Sequence, residues 1–328
     1  MEEKRRLVAE WEEQDGVMLS WPEVEMDWGE DTEEVRACYR SIMEEVSRRE
    51  KVILLRQEEW SLNDTWVRDY GLLSTRGGED RVLVDYRFDG WGGKYESGGD
   101  DGVGGKVYKE RKVFASGVGY VRREEVVTEG GNLETDGEGT LLSSWVCAGK
   151  RVPYEKREEW AREYKERLGI ERVLWVESGE LEGDDTDGHI DTLVRFGDAR
   201  TLLYTRCKRS DSHYVELKRL EEELCSFRGR DGRPYKLEAL PLPSPVVHKG
   251  KRLPASYANF LFINGGVLVP VYGVEEDAEA LGVFRRLYPN RAVVGLDCRV
   301  LLRQGGSLHC ATMQYPRGFL RDERKGGD

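Results

Sequence analysis

Cys310 closes the run Gly305-Gly306-Ser307-Leu308-His309-Cys310. A cysteine is a good nucleophile once it is a thiolate, and glycines just before it let another segment approach its backbone closely. His189 stands in Thr186-Asp187-Gly188-His189-Ile190-Asp191, and an imidazole serves as both acid and base near neutral pH. Asp69, Glu129 and Asp191 add carboxylates, and Asn259 adds an amide. Carboxylates beside a thiol resist formation of the thiolate, so the set makes little sense for a thiol protease. It does suit a cationic substrate. A guanidinium offers five N–H donors in a planar fork that matches carboxylates bidentately. Attack of Cys310 on such a carbon, with loss of ammonia, is the chemistry these residue types favour. The remaining histidines read as structural: His309 would face away from Cys310 in a strand, His213 opens a helix, and His248 lies in a proline-rich loop.

These residues converge only if the chain brings them together, and its pattern suggests how. Residues 33–49 put Val35, Cys38, Ile42 and Val46 on one face of an amphipathic helix, and a short apolar strand follows at 51–56. A hairpin is expected from 66–74 and 81–88 around Gly77-Gly78. The same order of helix, strand and hairpin recurs about five times. The first strand of each hairpin carries one motif: DYG at 69–71, EGGN at 129–132, HID at 189–191, YAN at 257–259 and LHC at 308–310. The last unit lacks a partner strand, which residues 17–22 would supply to close a ring. A radial arrangement would then aim the motifs at a common axis. A doubly wound parallel sheet is the alternative, against which the hairpins weigh. Residues 89–105 interrupt the pattern as a glycine-rich loop, read either as a surface loop or as a lid with glycine hinges. Residues 317–328 read as a loosely ordered tail.

Composition narrows the function classes. The 328 residues carry 51 Lys and Arg against 63 Asp and Glu, a net charge of −12. Nothing resembles the basic face of a nucleic-acid binder. No apolar run approaches the roughly 18 residues that span a membrane. The charged start MEEKRRLVAEWEEQ has no apolar signal core, and six scattered cysteines include no C-x-x-C pair. A cytoplasmic protein with reduced thiols is expected.

Several runs together resemble the agmatine deiminase family, which includes bacterial peptidylarginine deiminases. They are N-D-T-W-V-R-D-Y-G at 63–71, E-G-G-N at 129–132, T-D-G-H-I-D at 186–191, P-A-S-Y-A-N-F at 254–260 and G-G-S-L-H-C-A-T at 305–312. S-W-P at 20–22 with Trp28, and G-W-G-G-K at 90–94, add to the resemblance. It implies a five-bladed pseudosymmetric α/β propeller, one catalytic domain over 1–328, and hydrolysis of a guanidine to a ureido group without metal or cofactor. It further implies Cys310 as nucleophile, His189 as general acid and base, Asp69 and Asp191 as the guanidinium grip, and Glu129 as their helper, with Asn259 in the site. Trp66 is read either as packing on the substrate or as core filler. Two departures bear on substrate choice: Met313-Gln314 stands where the family generally has two glutamines, and Asp185 where it often has glutamate. Asp185 would still receive a distal ammonium, while Arg68 or Lys94 at the entrance would favour a carboxylate instead. The leading expectation is agmatine hydrolysis to N-carbamoylputrescine, a step of polyamine metabolism. A deiminase of arginine, peptidyl-arginine or another guanidine is the first alternative, and a non-catalytic ring binding polyamines or protein the second. Neither nucleic acid nor membrane is expected as partner, and self-association is left open.

Overall fold

The helix Thr32–Ser47 buries Val35, Cys38, Tyr39, Ile42 and Val46, spaced at three and four residues so that they form one apolar stripe. That stripe needs a sheet to cover, and the helix leads directly into the strand Lys51–Leu55. This strand runs parallel to Gln14–Ser20, with Val17 opposite Val52 and Leu19 opposite Leu54. Parallel neighbours need such a crossover, whereas antiparallel ones need only a turn. In this computed structural model, which describes residues 4–110 and 112–322, the same construction recurs around the chain.

Five sheets of the described residues share one order: an antiparallel pair, then a parallel strand reached through a helix. Leu73–Gly77 and Asp80–Arg87 form a hairpin, and Val118–Val127 runs parallel to the latter. Glu134–Thr135, Thr140–Ser144 and Arg172–Val176 form the next sheet. Val194–Asp198, Thr201–Arg206 and Lys236–Pro241 follow, then Leu261–Ile263, Gly266–Val271 and Ala292–Asp297. In the last, Thr312–Pro316 pairs antiparallel with Gln14–Ser20. The N-terminal strand thus completes the C-terminal sheet, as the motif count requires. The fold is α/β with mixed sheets, so the expected hairpins and the crossovers of the alternative coexist in every sheet.

Three expectations need correction. The motif residues do not lie on strands. Val67–Tyr70 is a single helical turn and Ile190–Thr192 a 3-10 turn, so the adjacent strands begin only at Leu73 and Val194. Leu308 to Cys310 is likewise a turn, ahead of the strand at Thr312. The 89–105 segment is not a continuous loop, because Gly98–Lys109 forms a helix that buries Asp100, Val103, Gly104 and Val107. Gly104 has no room for a side chain, since an added Cβ would meet Leu72 and Asp85. Lastly, the start of the presumed tail is docked. Phe319 and Leu320 are buried, and Asp15 accepts hydrogen bonds from the Gly318 and Leu320 amides at 2.8 Å. Residues 323–328 lie outside the described residues.

Candidate active site

Each short turn sits just ahead of a sheet's first strand and presents one or two polar side chains inward. Gly131 shows how closely they meet. A Cβ built there would lie 2.7 Å from Asp69 Oδ1, 2.7 Å from His189 Nδ1 and 3.2 Å from Asp191 Oδ2. The glycine of E-G-G-N therefore leaves space between three functional groups, while its amide donates to Asp69 Oδ1 at 2.8 Å.

His189 is fully buried. Its Nε2 lies 2.6 Å from Glu129 Oε2, and its Nδ1 lies 3.6 Å from Asp69 Oδ1 with no hydrogen-bond partner. Burial alone would favour the neutral ring, but Asp69 and Glu129, among its neighbours, outweigh it and hold the pKa well above the usual histidine value. Glu129 is kept ionised despite burial by His189 and by Arg151, whose Nε donates to Oε1 at 2.6 Å. For Asp69, burial is the largest influence; partly offset by His189 and reinforced by Glu129 and Asp191, it pushes the carboxyl up to about 6.

Cys310 is buried, and its thiol lies 3.6 Å from Asp191 Oδ2. Asn259 Nδ2 donates toward Sγ at 3.3 Å, while Asn259 Oδ1 accepts from the His309 and Cys310 amides at 2.8 and 3.4 Å. Burial, then Asp191 and Asp69, push the thiol pKa well above the usual value. The site therefore combines a neutral thiol with a charged imidazole. Asp191 itself is held ionised against burial, chiefly by His309, and its Oδ1 is buried without a partner.

Of these groups Asp69 and Cys310 line a cavity of about 860 Å3, together with Trp66, Trp91, Tyr95 and Asp185 among others. All the expected residues thus meet: Cys310, His189, Asp69, Asp191, Glu129 and Asn259 form one connected cluster, with Trp66 and Asp185 on the cavity wall. Trp66 packs on Gly306 and lies 6.0 Å, ring to ring, from Trp28, so its wall and core roles coincide. Asp185 accepts from the Tyr95 hydroxyl, and Lys94 donates to the Asp185 carbonyl at 2.6 Å and to Asp187 at 2.8 Å. Lys94 is therefore already paired. Arg68 is not at the entrance at all. It is buried, with Glu10 at 3.0 Å and Gln314 as partners.

Other residues escaped the reading of the sequence. Trp91 donates from Nε1 to Asp69 Oδ2 at 3.0 Å, from a backbone held at φ 57° between glycines also at positive φ. The only available signal was its G-W-G-G-K context. Arg151 and Cys147, on the helix Trp145–Arg151, both reach Glu129. His309, read as packed away, contacts Asp191 at 2.8 Å because a turn does not alternate its side chains as a strand does.

The class follows from comparison with known proteins. The chain belongs to the family of Porphyromonas-type peptidyl-arginine deiminases, matching it over residues 6–316. It is 30% identical to an agmatine deiminase of Pseudomonas aeruginosa, across 95% of this chain and 95% of that one. Among solved structures, it superposes with a TM-score of 0.91 and 42% identity on a Porphyromonas gingivalis protein provisionally assigned as an arginine deiminase, covering 97% of this chain and 100% of that one. A cysteine-to-serine variant of Campylobacter jejuni agmatine deiminase with substrate bound matches at 0.87 and 33%, covering 96% and 97%.

Proposed function

We propose that this protein is an agmatine deiminase, hydrolysing agmatine to N-carbamoylputrescine and ammonia, on a five-bladed α/β propeller whose blades are the five sheets. The carrying observation is the convergence at Gly131, where Asp69 Oδ1, His189 Nδ1 and Asp191 Oδ2 all lie within 3.2 Å of the position a Cβ would take. Two buried atoms of the cluster, Asp191 Oδ1 and His189 Nδ1, have no hydrogen-bond partner. Buried polar atoms rarely go unpaired, and a guanidinium supplies the missing donors.

Binding places the guanidinium between Asp69 and Asp191. Its charge offsets theirs, lowers the Cys310 pKa, and lets the thiol proton leave to water. The thiolate attacks the guanidinium carbon. His189, already protonated, donates its proton to the departing nitrogen, and ammonia leaves an amidino thioether on Cys310. The neutral ring then takes a proton from water, whose oxygen adds to the same carbon. Collapse breaks the C–S bond, the sulfur takes up the hydroxyl proton to restore the thiol, and the ureido product forms. Glu129, fixed by Arg151, stabilises the imidazolium before the first proton transfer and after the second. Asp185 receives the distal ammonium.

A second reading has its own support. A cavity of about 860 Å3 exceeds what a linear guanidino-amine fills, and the Porphyromonas relative is provisionally assigned to arginine. Ammonia release from agmatine, arginine, a C-terminal arginine peptide and other guanidines separates these readings. It also tests the non-catalytic ring, which would release none. Among the described residues no helix is long and apolar enough to cross a membrane. The six cysteines are unbridged, which supports the cytoplasmic part of the proposal.

A further inference from the structure

Beneath Asp191, on the side away from the cavity, lies a buried polar cluster to which the proposed reaction assigns no role. His309 Nδ1 is 2.8 Å from Asp191 Oδ2, and its Nε2 is 2.8 Å from Glu10 Oε1. Glu10 is held in turn by Arg68 at 3.0 Å, by Gln314 Nε2 at 2.9 Å and by Arg195, and Arg195 Nε donates to Glu134 at 2.7 Å. Arg195 and His309 are almost wholly buried. Burial, with Arg195 and Arg68, pushes the imidazole toward neutral, yet a neutral ring has one N–H and faces a carboxylate on both sides. The ring is thus held at both nitrogens between two carboxylates, Asp191 and Glu10. The bond from His309 occupies Asp191 Oδ2, which also faces the Cys310 thiol, and leaves Oδ1 as the unpaired oxygen.

We propose that His309 is a positioning residue: clamped against Glu10, its ring locks the Asp191 carboxylate in the orientation that sets Oδ2 near the Cys310 thiol and leaves Oδ1 unpaired for the guanidinium. This rests on the reading of the site as a guanidine hydrolase. A carboxylate free to rotate would also bring Oδ1 to His309 or to the thiol, and misplacement by about 1 Å costs on the order of 10²-fold in rate.

Two variants separate the two contacts. In His309→Asn the amide nitrogen stands in for Nδ1 and keeps the Asp191 contact. In His309→Gln it stands in for Nε2 and keeps only Glu10. Both lose one buried bond, so a merely structural role predicts equal loss of thermal stability and of activity. The proposal expects His309→Gln to lose about 10²-fold in kcat/KM, largely through KM, and His309→Asn to stay within about tenfold of wild type. It is overturned if His309→Gln keeps wild-type kcat/KM, or if His309→Asn is no better. Nitrogen NMR of selectively labelled histidines, in a Cys310→Ser background, covers the case where neither variant folds. On adding agmatine the His309 Nδ1 resonance should shift while those of His213 and His248 stay fixed; an unmoved His309 signal also overturns the proposal. Ammonia release by the wild type is the separate control: if it hydrolyses no guanidine, the assigned function fails first, and visibly so.

Discussion

The Cys310 thiol is neutral because burial and two carboxylates oppose its ionisation. Reactivity should therefore depend on substrate charge. Iodoacetamide is expected to label Cys310 slowly in the free enzyme and faster with a small guanidinium bound that leaves the sulfur accessible. Mixing His189→Ala with agmatine should trap an amidino mass on the Cys310 peptide, and a His189→Ala enzyme that turns over at the wild-type rate would remove His189 as proton carrier, whose loss typically costs about 10²–10⁴-fold. Asp69 sets the acid limb. Its carboxyl must be ionised to grip a cation, so kcat/KM should fall as pH drops through about 6. Stability runs the other way. The native pKa of about 6 lies above the ordinary value of 3.8, so between these values the folded state alone keeps the proton. Asp69's contribution is thus present below 3.8 and lost as pH rises to about 6. Trp91→Phe deletes a donor to the ionised form and should move the acid limb upward by up to about one pH unit. An unmoved limb would show that Trp91 merely fills space.

At the scale of elements, the sequence showed the long pieces well and the site-bearing pieces poorly. The helix that apolar periodicity placed at 33–49 emerges at Thr32–Ser47, and the strand expected at 51–56 at Lys51–Leu55. Val67–Tyr70 and Ile190–Thr192 were read as strand because four or three residues are too few to display a period. The error was costly only for His309, where assumed strand alternation turned a site neighbour into packing. Glycine signals were better guides. The pair Gly305-Gly306 marked a close approach, and Gly306 does lie against Trp66; Gly131 is a second such place, and Gly131→Ala tests it sharply, since its Cβ would sit 2.7 Å from both Asp69 Oδ1 and His189 Nδ1. Activity should fall by about 10²-fold or more, and Gly131→Ala placed in a Cys310→Ser background should abolish the agmatine binding that Cys310→Ser alone retains. By contrast Gly282→Ala, on an outer helix with open space around it, should leave both intact and gain slight stability from helix propensity.

Across the whole molecule, the long-range contacts were the least legible. Residues 17–22 were expected to complete the last sheet, and Gln14–Ser20 does so beside Thr312–Pro316. Glu10, just upstream, reaches inward to His309 and Arg195, and no local pattern announces that, because its partners are up to 304 residues away along the chain. The charge balance of −12 carries a further consequence. The cavity wall includes Glu25, Asp27, Glu96, Glu182 and Asp185, set against Lys251, Arg252 and Arg303. Two of those cations are committed elsewhere: Arg252 to Asp211, and Arg303 to Asp31 and Glu34. With Arg68 buried and Lys94 paired, the mouth favours a dication over a zwitterion. Bringing a carboxylate into it without a dedicated cation costs several kcal/mol, and each 1.36 kcal/mol is tenfold in rate. Agmatine should therefore exceed arginine by about two powers of ten in kcat/KM. Because the attraction is partly long-range, that lead should shrink between low salt and about 0.5 M, where the screening length falls to a few ångströms. Equal turnover of arginine would point to Lys251, the remaining cation of the wall, as a carboxylate receptor, and Lys251→Ala would then lower arginine turnover alone.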